Sequence, residues 1–139
     1  MAKFLLVDSS FWFAFFDRRD QYHEKAQSIL DSLIPQIHVL MLPWPILYET
    51  LNTRFARRIE WKRNLRIILV KYKHELIDDS SYRKKAYDLY FNISKTYSLV
   101  DLVIREIIND NSYKIDGIIT FNENDFRDLC YKSKIEIYS

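Results

Sequence analysis

The chain has 139 residues, of which 48% are hydrophobic and 29% charged, and this suits one folded domain whose core needs no disulfide or structural metal. Its net charge is +2, from 21 basic and 19 acidic residues, so any nucleic-acid surface must be a local basic patch. The single glycine, Gly117, excludes a dinucleotide-binding G-x-G-x-x-G turn and a Walker phosphate loop, and no H-E-x-x-H or C-x-x-C zinc pattern occurs.

Two features of the sequence bear on location. Cys130 is the only cysteine, so it forms no internal disulfide, and a reducing cytoplasmic setting is expected. The apolar run from Phe4 ends at Asp8, which makes it shorter than the roughly 7–15 residues of a signal-peptide core or the about 20 of a membrane span. We therefore expect a cytoplasmic protein without a membrane segment.

Hydrophobic periodicity predicts alternating strands and helices along the whole chain. The first half is expected to contain strands over 3–7 and 37–41 and helices over 11–16 (with Ser9 and Ser10 as caps), 21–33 (capped by Asp20), 43–55 and 60–73. The second half is expected to contain strands over 76–77, 115–120 and 135–138, helices over 82–97 and 98–108, and a helical turn over 123–129. This alternation predicts an α/β fold with a parallel sheet covered on both faces, and the absence of repeats and linkers predicts a single domain over 1–139.

The positions of the acidic residues relative to the predicted strands indicate which of them belong to a site, because ligands of open parallel sheets bind beyond the carboxyl ends of the strands. Asp8 follows the first strand, and Asn122 to Asp125 follow the 115–120 strand at the same edge. Asp116 begins that strand and is expected at the opposite edge, which makes it a poor candidate.

Glu49 and Asp101 lie among apolar neighbours, and a carboxylate near buried surface needs a partner, for which a divalent cation is a candidate. Simpler roles remain open for each of these acids. Asp8 is also placed to cap a helix, Asp101 to complete a capping box with Ser98, and Glu49 to be an ordinary surface residue.

Five stretches stand in an order that is characteristic of one family. They are residues 4–10 (FLLVDSS), 20–26 (DQYHEKA), 45–51 (PILYETL), 98–101 (SLVD) and 118–126 (IITFNENDF). Together they resemble the PIN-domain family over nearly the whole chain. The resemblance implies a three-layer α/β/α fold with a short central parallel sheet, and a ribonuclease activity that depends on Mg²⁺ or Mn²⁺.

The resemblance also implies the site residues. Asp8, Glu49 and Asp101 match the family's acidic cluster, while Asn122 stands at the fourth position, where many relatives have an aspartate. An amide ligates a metal through its carbonyl oxygen but adds no charge, so it stays open whether Asn122 or Asp125 completes the site, and whether one or two metals bind. Hard cations of this kind prefer oxygen ligands and activate water for attack on phosphorus.

A basic run follows Glu49, and Arg54, Arg58 and Lys62 in it are candidates for contact with an RNA backbone, the alternative being an ordinary solvated face. The leading hypothesis is a metal-dependent endoribonuclease. The resemblance further implies a VapC-like toxin that forms a homodimer and binds an antitoxin. The rival is a non-catalytic PIN fold that binds RNA or protein, which the missing charge at Asn122 favours. Phosphoryl-aspartate chemistry is disfavoured, because Ser10 occupies the position of its second aspartate.

Overall fold

The computed structural model describes residues 2–92, 94 and 96–139. Five strands form one parallel sheet in the order β3-β2-β1-β4-β5. Their bounds are β1 Lys3–Val7, β2 Ile37–Pro43, β3 His74–Ile77, β4 Gly117–Ile119 and β5 Glu136–Tyr138. The short central parallel sheet predicted from the sequence is therefore confirmed.

Eight α-helices connect the strands of the described chain: α1 Ser9–Phe16, α2 His23–Leu33, α3 Trp44–Thr50, α4 Thr53–Ala56, α5 Ile59–Lys71, α6 Arg83–Asn92, α7 Leu99–Asn109 and α8 Arg127–Ser133. Two 3-10 helices, Ile34–Gln36 and Glu123–Asp125, precede β2 and α8. Within these described ranges, no helix has the length and apolar character needed to cross a membrane.

The sheet separates two hydrophobic cores, because successive side chains of a strand point to opposite faces. In β1, Leu5 and Val7 pack with α1, α2 and α5, whereas Leu6 packs on the other side with α6, α7 and α8. Neighbouring β2 divides in the same way, with Leu40 on the first side and Met41 on the second. The molecule thus has the three-layer α/β/α arrangement, and β1 and β2 are buried on both faces.

The connection between α1 and α2 explains the stretch over residues 20–26, in which an aspartate, a histidine and an alanine follow one another at intervals of three. The Asp20 carboxylate accepts a hydrogen bond from the Tyr22 N–H at 2.9 Å, and the His23 ring bonds the Ala14 carbonyl oxygen at 2.8 Å. Ala26 is fully buried against the first core. Because Asp20 forms this turn, α2 begins at His23, two residues later than predicted, and its N-cap is Tyr22 rather than Asp20.

The helix predicted from Pro43 through Phe55 is two helices, α3 and α4. The side chain of Asn52 causes the break: its carbonyl oxygen accepts from the Phe55 N–H at 3.0 Å, and its amide donates to the Glu49 carbonyl at 3.1 Å. One asparagine thus caps both helices. The prediction of a continuous helix was wrong at this point.

The helix predicted over 82–97 ends earlier, at Asn92, and residues 93 and 95 of the prediction lie outside the described part of the chain. Tyr97 stands outside any helix, directly before the capping box that starts α7. The predicted turn over 123–129 is a 3-10 helix followed by α8, which extends to Ser133. The other predicted elements differ from the observed ones only at their ends.

Candidate active site

Asp8 stands where β1 ends and α1 begins, at the carboxyl edge of the sheet. Its N–H still bonds the Ile119 carbonyl of β4 at 3.0 Å, which fixes it beside the end of that strand. The strand order reverses between β1 and β4, because β2 and β3 lie on one side of β1, and β4 and β5 lie on the other. Open α/β sheets bind ligands at this position. Asp8 is only 4% exposed, so its carboxylate is nearly buried at this edge of the sheet, and we call the position around it the acidic crevice.

Two hydroxyl groups hold the Asp8 carboxylate. Ser10 donates to Oδ2 at 3.0 Å and Thr120 donates to the same oxygen at 2.8 Å. The backbone N–H groups of Phe121 and Asn122 in turn donate to these two hydroxyls, each at 3.0 Å. Asp8 occupies the N-cap position of α1, but its carboxylate makes no capping hydrogen bond to the helix and is held by these two hydroxyls instead.

Glu49 approaches Asp8 from α3. The Ser9 hydroxyl donates a hydrogen bond to its Oε1, which ties the start of α1 to α3. Ser9 and Ser10 were predicted as helix caps, but Asp8 occupies the N-cap position and both serine hydroxyls orient carboxylates instead. No local pattern predicts these contacts, because the donors and acceptors lie up to 112 residues apart.

The electrostatics of Asp8 are those of a carboxylate without a counter-charge. The pKa of Asp8 is raised to about 6: burial raises it most, the hydrogen bonds from Thr120 and Ser10 lower it, and the nearby charge of Glu49 raises it. None of the ion pairs among the described residues includes Asp8. The site therefore favours either a proton or a bound cation.

Asp101 and Asp125 form a second acidic pair. Asp101 completes the predicted capping box of α7: its N–H donates to Ser98 Oγ at 3.0 Å, and its Oδ2 accepts from the Ser98 N–H at 3.4 Å. Burial and the nearby charge of Asp101 raise the pKa of Asp125. Asp101 thus has a structural role as a helix cap while it also faces another carboxylate.

Asn122, the predicted fourth site residue, directly follows the Thr120–Phe121 segment that supports Asp8. It is exposed, and its backbone rather than its amide takes part in the hydroxyl network. Asp125 lies in the next 3-10 helix and is partly buried. The choice between Asn122 and Asp125 as the completing ligand stays a prediction.

The donor set suits a divalent cation bound by few protein ligands. No three His, Cys, Asp or Glu side chains within residues 2–92, 94 and 96–139 converge closely enough to share one metal ion. Mg²⁺, however, commonly takes one or two carboxylates and completes its shell with waters and substrate phosphates. The Asp8 and Glu49 carboxylates fit that role, because Asp8 is buried without a cationic partner.

Asp116 lies at the opposite edge of the sheet, as predicted. Its Oδ2 accepts from the Phe4 N–H at 2.8 Å, and its own N–H donates to the Phe4 carbonyl, also at 2.8 Å. Phe4 belongs to the start of β1, whereas Asp8 follows the end of that strand. Asp116 therefore supports strand pairing and lies away from the crevice.

The three predicted RNA contacts lie around the start of α5. Arg54 forms an ion pair with Asp17, and the guanidinium groups of Arg54 and Arg58 stack on Trp61 at 5.4 and 5.2 Å from the ring centroid. Lys62 is exposed on α5. The charge of Arg54 is thus partly neutralised by Asp17, while Arg58 and Lys62 belong to no ion pair of the described residues.

The comparisons with known proteins agree with this architecture. No protein-family model matches the sequence, and no curated protein matches it significantly. Among solved structures, the toxin VapC20 of Mycobacterium tuberculosis, described as cleaving the sarcin-ricin loop, superposes with a TM-score of 0.67. The match covers 89% of this chain and 94% of VapC20. The chain has the PIN-like fold of this VapC protein.

The PIN-like fold predicted from five short stretches is therefore confirmed. Sequence identity to VapC20 is 19%, so the likeness shows the fold alone. In this PIN-like fold, Asp8 and Glu49 lie close together because β1 ends at the carboxyl edge of the sheet and α3 begins at the same edge, directly after β2.

Proposed function

We propose that the protein is a metal-dependent endoribonuclease that hydrolyses phosphodiester bonds of RNA at the crevice around Asp8. The observation that carries the proposal is the buried Asp8 carboxylate, which stands next to Glu49 with no cation in the described chain to balance it. Burying an unpaired carboxylate costs several kcal/mol, so a bound Mg²⁺ or Mn²⁺ supplies the missing partner. Its likeness in fold to a ribonuclease toxin supports the same reading.

The chain's own residues prepare this site. The hydroxyls of Ser10 and Thr120 both bond Asp8 Oδ2, which leaves Oδ1 as the oxygen to face a ligand. The Ser9 hydroxyl likewise takes up Oε1 of Glu49 and orients that side chain. A bound divalent cation would neutralise the phosphate and activate a water for attack on phosphorus. Asp101, with Asn122 or Asp125, would line the other side of the phosphate.

The proposal extends to biological context. VapC20 is described as a toxin, and we propose that this chain is likewise the toxin of a type II toxin–antitoxin pair, inhibited by an antitoxin that covers the acidic crevice. We likewise propose a cytoplasmic location, where an RNA substrate would be met. The rival reading, a non-catalytic binding module, finds no support in the preserved acids Asp8, Glu49 and Asp101.

We also propose that the protein is a homodimer. Tyr48 exposes 74% of its surface beside a cavity of about 800 Å³ between α3, α6 and α7, and Tyr87 and Leu99 line the same cavity. The cations nearby are neutralised within the chain, for example Arg83 by Asp79. Glu49 also lines this cavity, so the proposed contact between chains would lie at the edge of the acidic crevice. Exposed aromatic surface of this kind is typical of contacts between protein chains.

Cleavage of a mixed RNA pool tests the proposed function. The purified protein is expected to cut RNA with Mg²⁺ or Mn²⁺ and to stop when a chelator is added. The Asp8→Asn protein should lose cleavage by about 10²–10³-fold or more, because the loss of a metal ligand removes several kcal/mol of transition-state stabilisation.

Asp116→Asn is the matched control for this assay. Its amide oxygen can still accept from the Phe4 N–H, and the residue lies at the other edge of the sheet, so cleavage should stay at the wild-type level. The proposal fails if the native protein cuts no RNA with either ion once any bound partner is removed. It fails equally if Asp8→Asn cuts RNA as fast as the native protein.

A further inference from the structure

A second concave surface lies beside the acidic crevice, between the end of α1, the start of α2 and α5. Its volume is about 600 Å³. Arg18, Arg19 and Arg58 line it together with Trp61 and Phe15, and the two acidic residues of the lining are Asp17 and Glu60. Arginine guanidinium groups bind phosphates, and partly exposed aromatic side chains such as those of Phe15 and Trp61 can stack on bases. We call this surface the arginine cleft.

The charge of the protein is concentrated beside the arginine cleft. Residues 53–71, which form α4 and α5, hold seven of the 21 basic residues and one of the 19 acidic residues, which leaves 14 basic and 18 acidic residues in the rest of the chain. A nearly balanced protein therefore has a net charge of +6 on one segment of 19 residues and −4 elsewhere. Such a local patch attracts a polyanion even when the overall charge does not.

Two arginines of the cleft are available for an anion. Asp17 is engaged by Arg54 and, at 3.6 Å, by Arg19. In contrast, Arg18 and Arg58 take part in none of the ion pairs that the described residues form. The stacking of Arg58 on Trp61 holds its guanidinium in place before any ligand arrives.

The arginine cleft stands at a useful distance from the acids. Asp8 and Asp17 flank the two ends of α1, a separation of about 13 Å along the helix at 1.5 Å per residue. Phosphates follow one another at about 3.4 Å or more along a strand, so this distance corresponds to roughly two to four nucleotides. One RNA strand can therefore occupy both sites.

We propose that the arginine cleft is a second RNA-binding site, in which Arg18 and Arg58 bind backbone phosphates a few nucleotides from the scissile one. This inference rests on the proposed function and adds where the flanking RNA lies. It revises the sequence-based candidates, since Arg54 supports the cleft through Asp17 and Arg18 replaces it as a phosphate ligand. Contacts of this kind position the strand without reading its sequence.

The test measures binding without cleavage. A fluorescently labelled single-stranded RNA is titrated with the Asp8→Asn protein at several salt concentrations, in the presence of chelator. In that background, Arg18→Gln/Arg58→Gln should weaken binding by about 10-fold and reduce the salt slope by about 1.4, because each phosphate contact on a single strand contributes about 0.7. The matched control is Lys114→Gln/Lys132→Gln, which removes two exposed charges outside the cleft.

The outcomes separate this inference from the proposed function. If both double variants weaken RNA binding equally, while the native protein still cleaves RNA, the arginine cleft is no RNA site and the ribonuclease proposal stands. Arg18→Lys/Arg58→Lys keeps the charge and should retain most of the affinity, which distinguishes a lost contact from a misfolded variant. A double glutamine variant that keeps full RNA affinity but loses a bound protein partner would also overturn the inference.

Discussion

Replacement of Asp8 by Asn is expected to raise the free energy of unfolding at about pH 7.5 by up to roughly 3 kcal/mol. Burial and the charge of Glu49 raise the pKa of Asp8 from 3.8 to about 6, and each unit corresponds to about 1.4 kcal/mol. The carboxylate therefore destabilises the folded protein wherever it is ionised. An asparagine avoids this cost, and its Oδ1 can accept both hydroxyl bonds, since Ser10 and Thr120 already share one oxygen.

The gain in stability from Asp8→Asn depends on pH. The folded-state pKa is raised, so the stability that Asp8 contributes is full below about pH 3.8 and is lost as the pH rises through about 6. The advantage of Asp8→Asn should therefore be largest above about pH 6 and disappear near pH 4. Urea unfolding of both proteins across this range, in chelator, measures it. An advantage independent of pH, or a destabilised variant at every pH, would contradict the buried-charge account.

Glu49→Gln and Asp101→Asn are each expected to reduce RNA cleavage by about 10²–10³-fold with little change in stability. Each variant removes one charge from the site, which weakens cation binding and transition-state stabilisation. Each also keeps its structural bond: a Gln oxygen still accepts from the Ser9 hydroxyl, and an Asn oxygen still accepts from the Ser98 N–H. Single-turnover cleavage rates and melting temperatures, measured together, separate the chemical loss from a structural one.

The same assay decides how the site is completed. If Asp125 supplies the fourth ligand, Asp125→Asn should reduce cleavage comparably, whereas Asn122→Asp should have little effect. If Asn122 supplies it, Asn122→Asp should strengthen binding of the cation and Asp125→Asn should leave the rate nearly unchanged. Wild-type rates in both Glu49→Gln and Asp101→Asn would show that Asp8 acts without these partners, and the assigned site would be wrong.

The sequence predicted those parts of the structure that depend on local patterns. The β1 strand with Asp8 at its end and the capping box of Ser98 and Asp101 each follow from residues close together in the chain. Alternation of strands and helices then predicted the parallel sheet. Local patterns failed where a single side chain decides, as at Asn52, whose two hydrogen bonds divide one predicted helix into two.

Long-range contacts were beyond prediction from sequence. Ser10 and Thr120 both donate hydrogen bonds to Asp8 although they lie at opposite ends of the chain, and no sequence pattern marks either hydroxyl. The position of Glu49 near Asp8 was implied by family resemblance, but the role of Ser9 in holding it was not. The arginine cleft likewise depends on how α1 and α5 pack, and nothing in the basic run pointed to Arg18.

Binding of Mn²⁺ to the RNA-free protein, measured by calorimetry, tests most directly whether the carboxylates of the crevice hold a cation. We expect the native protein and Asp116→Asn to bind Mn²⁺ alike, and Asp8→Asn to bind it at least about 10-fold more weakly, since a principal ligand and its charge are lost. Binding should also raise the melting temperature of the native protein but not that of Asp8→Asn. Equal Mn²⁺ affinity in the native protein and Asp8→Asn would contradict a metal site at Asp8.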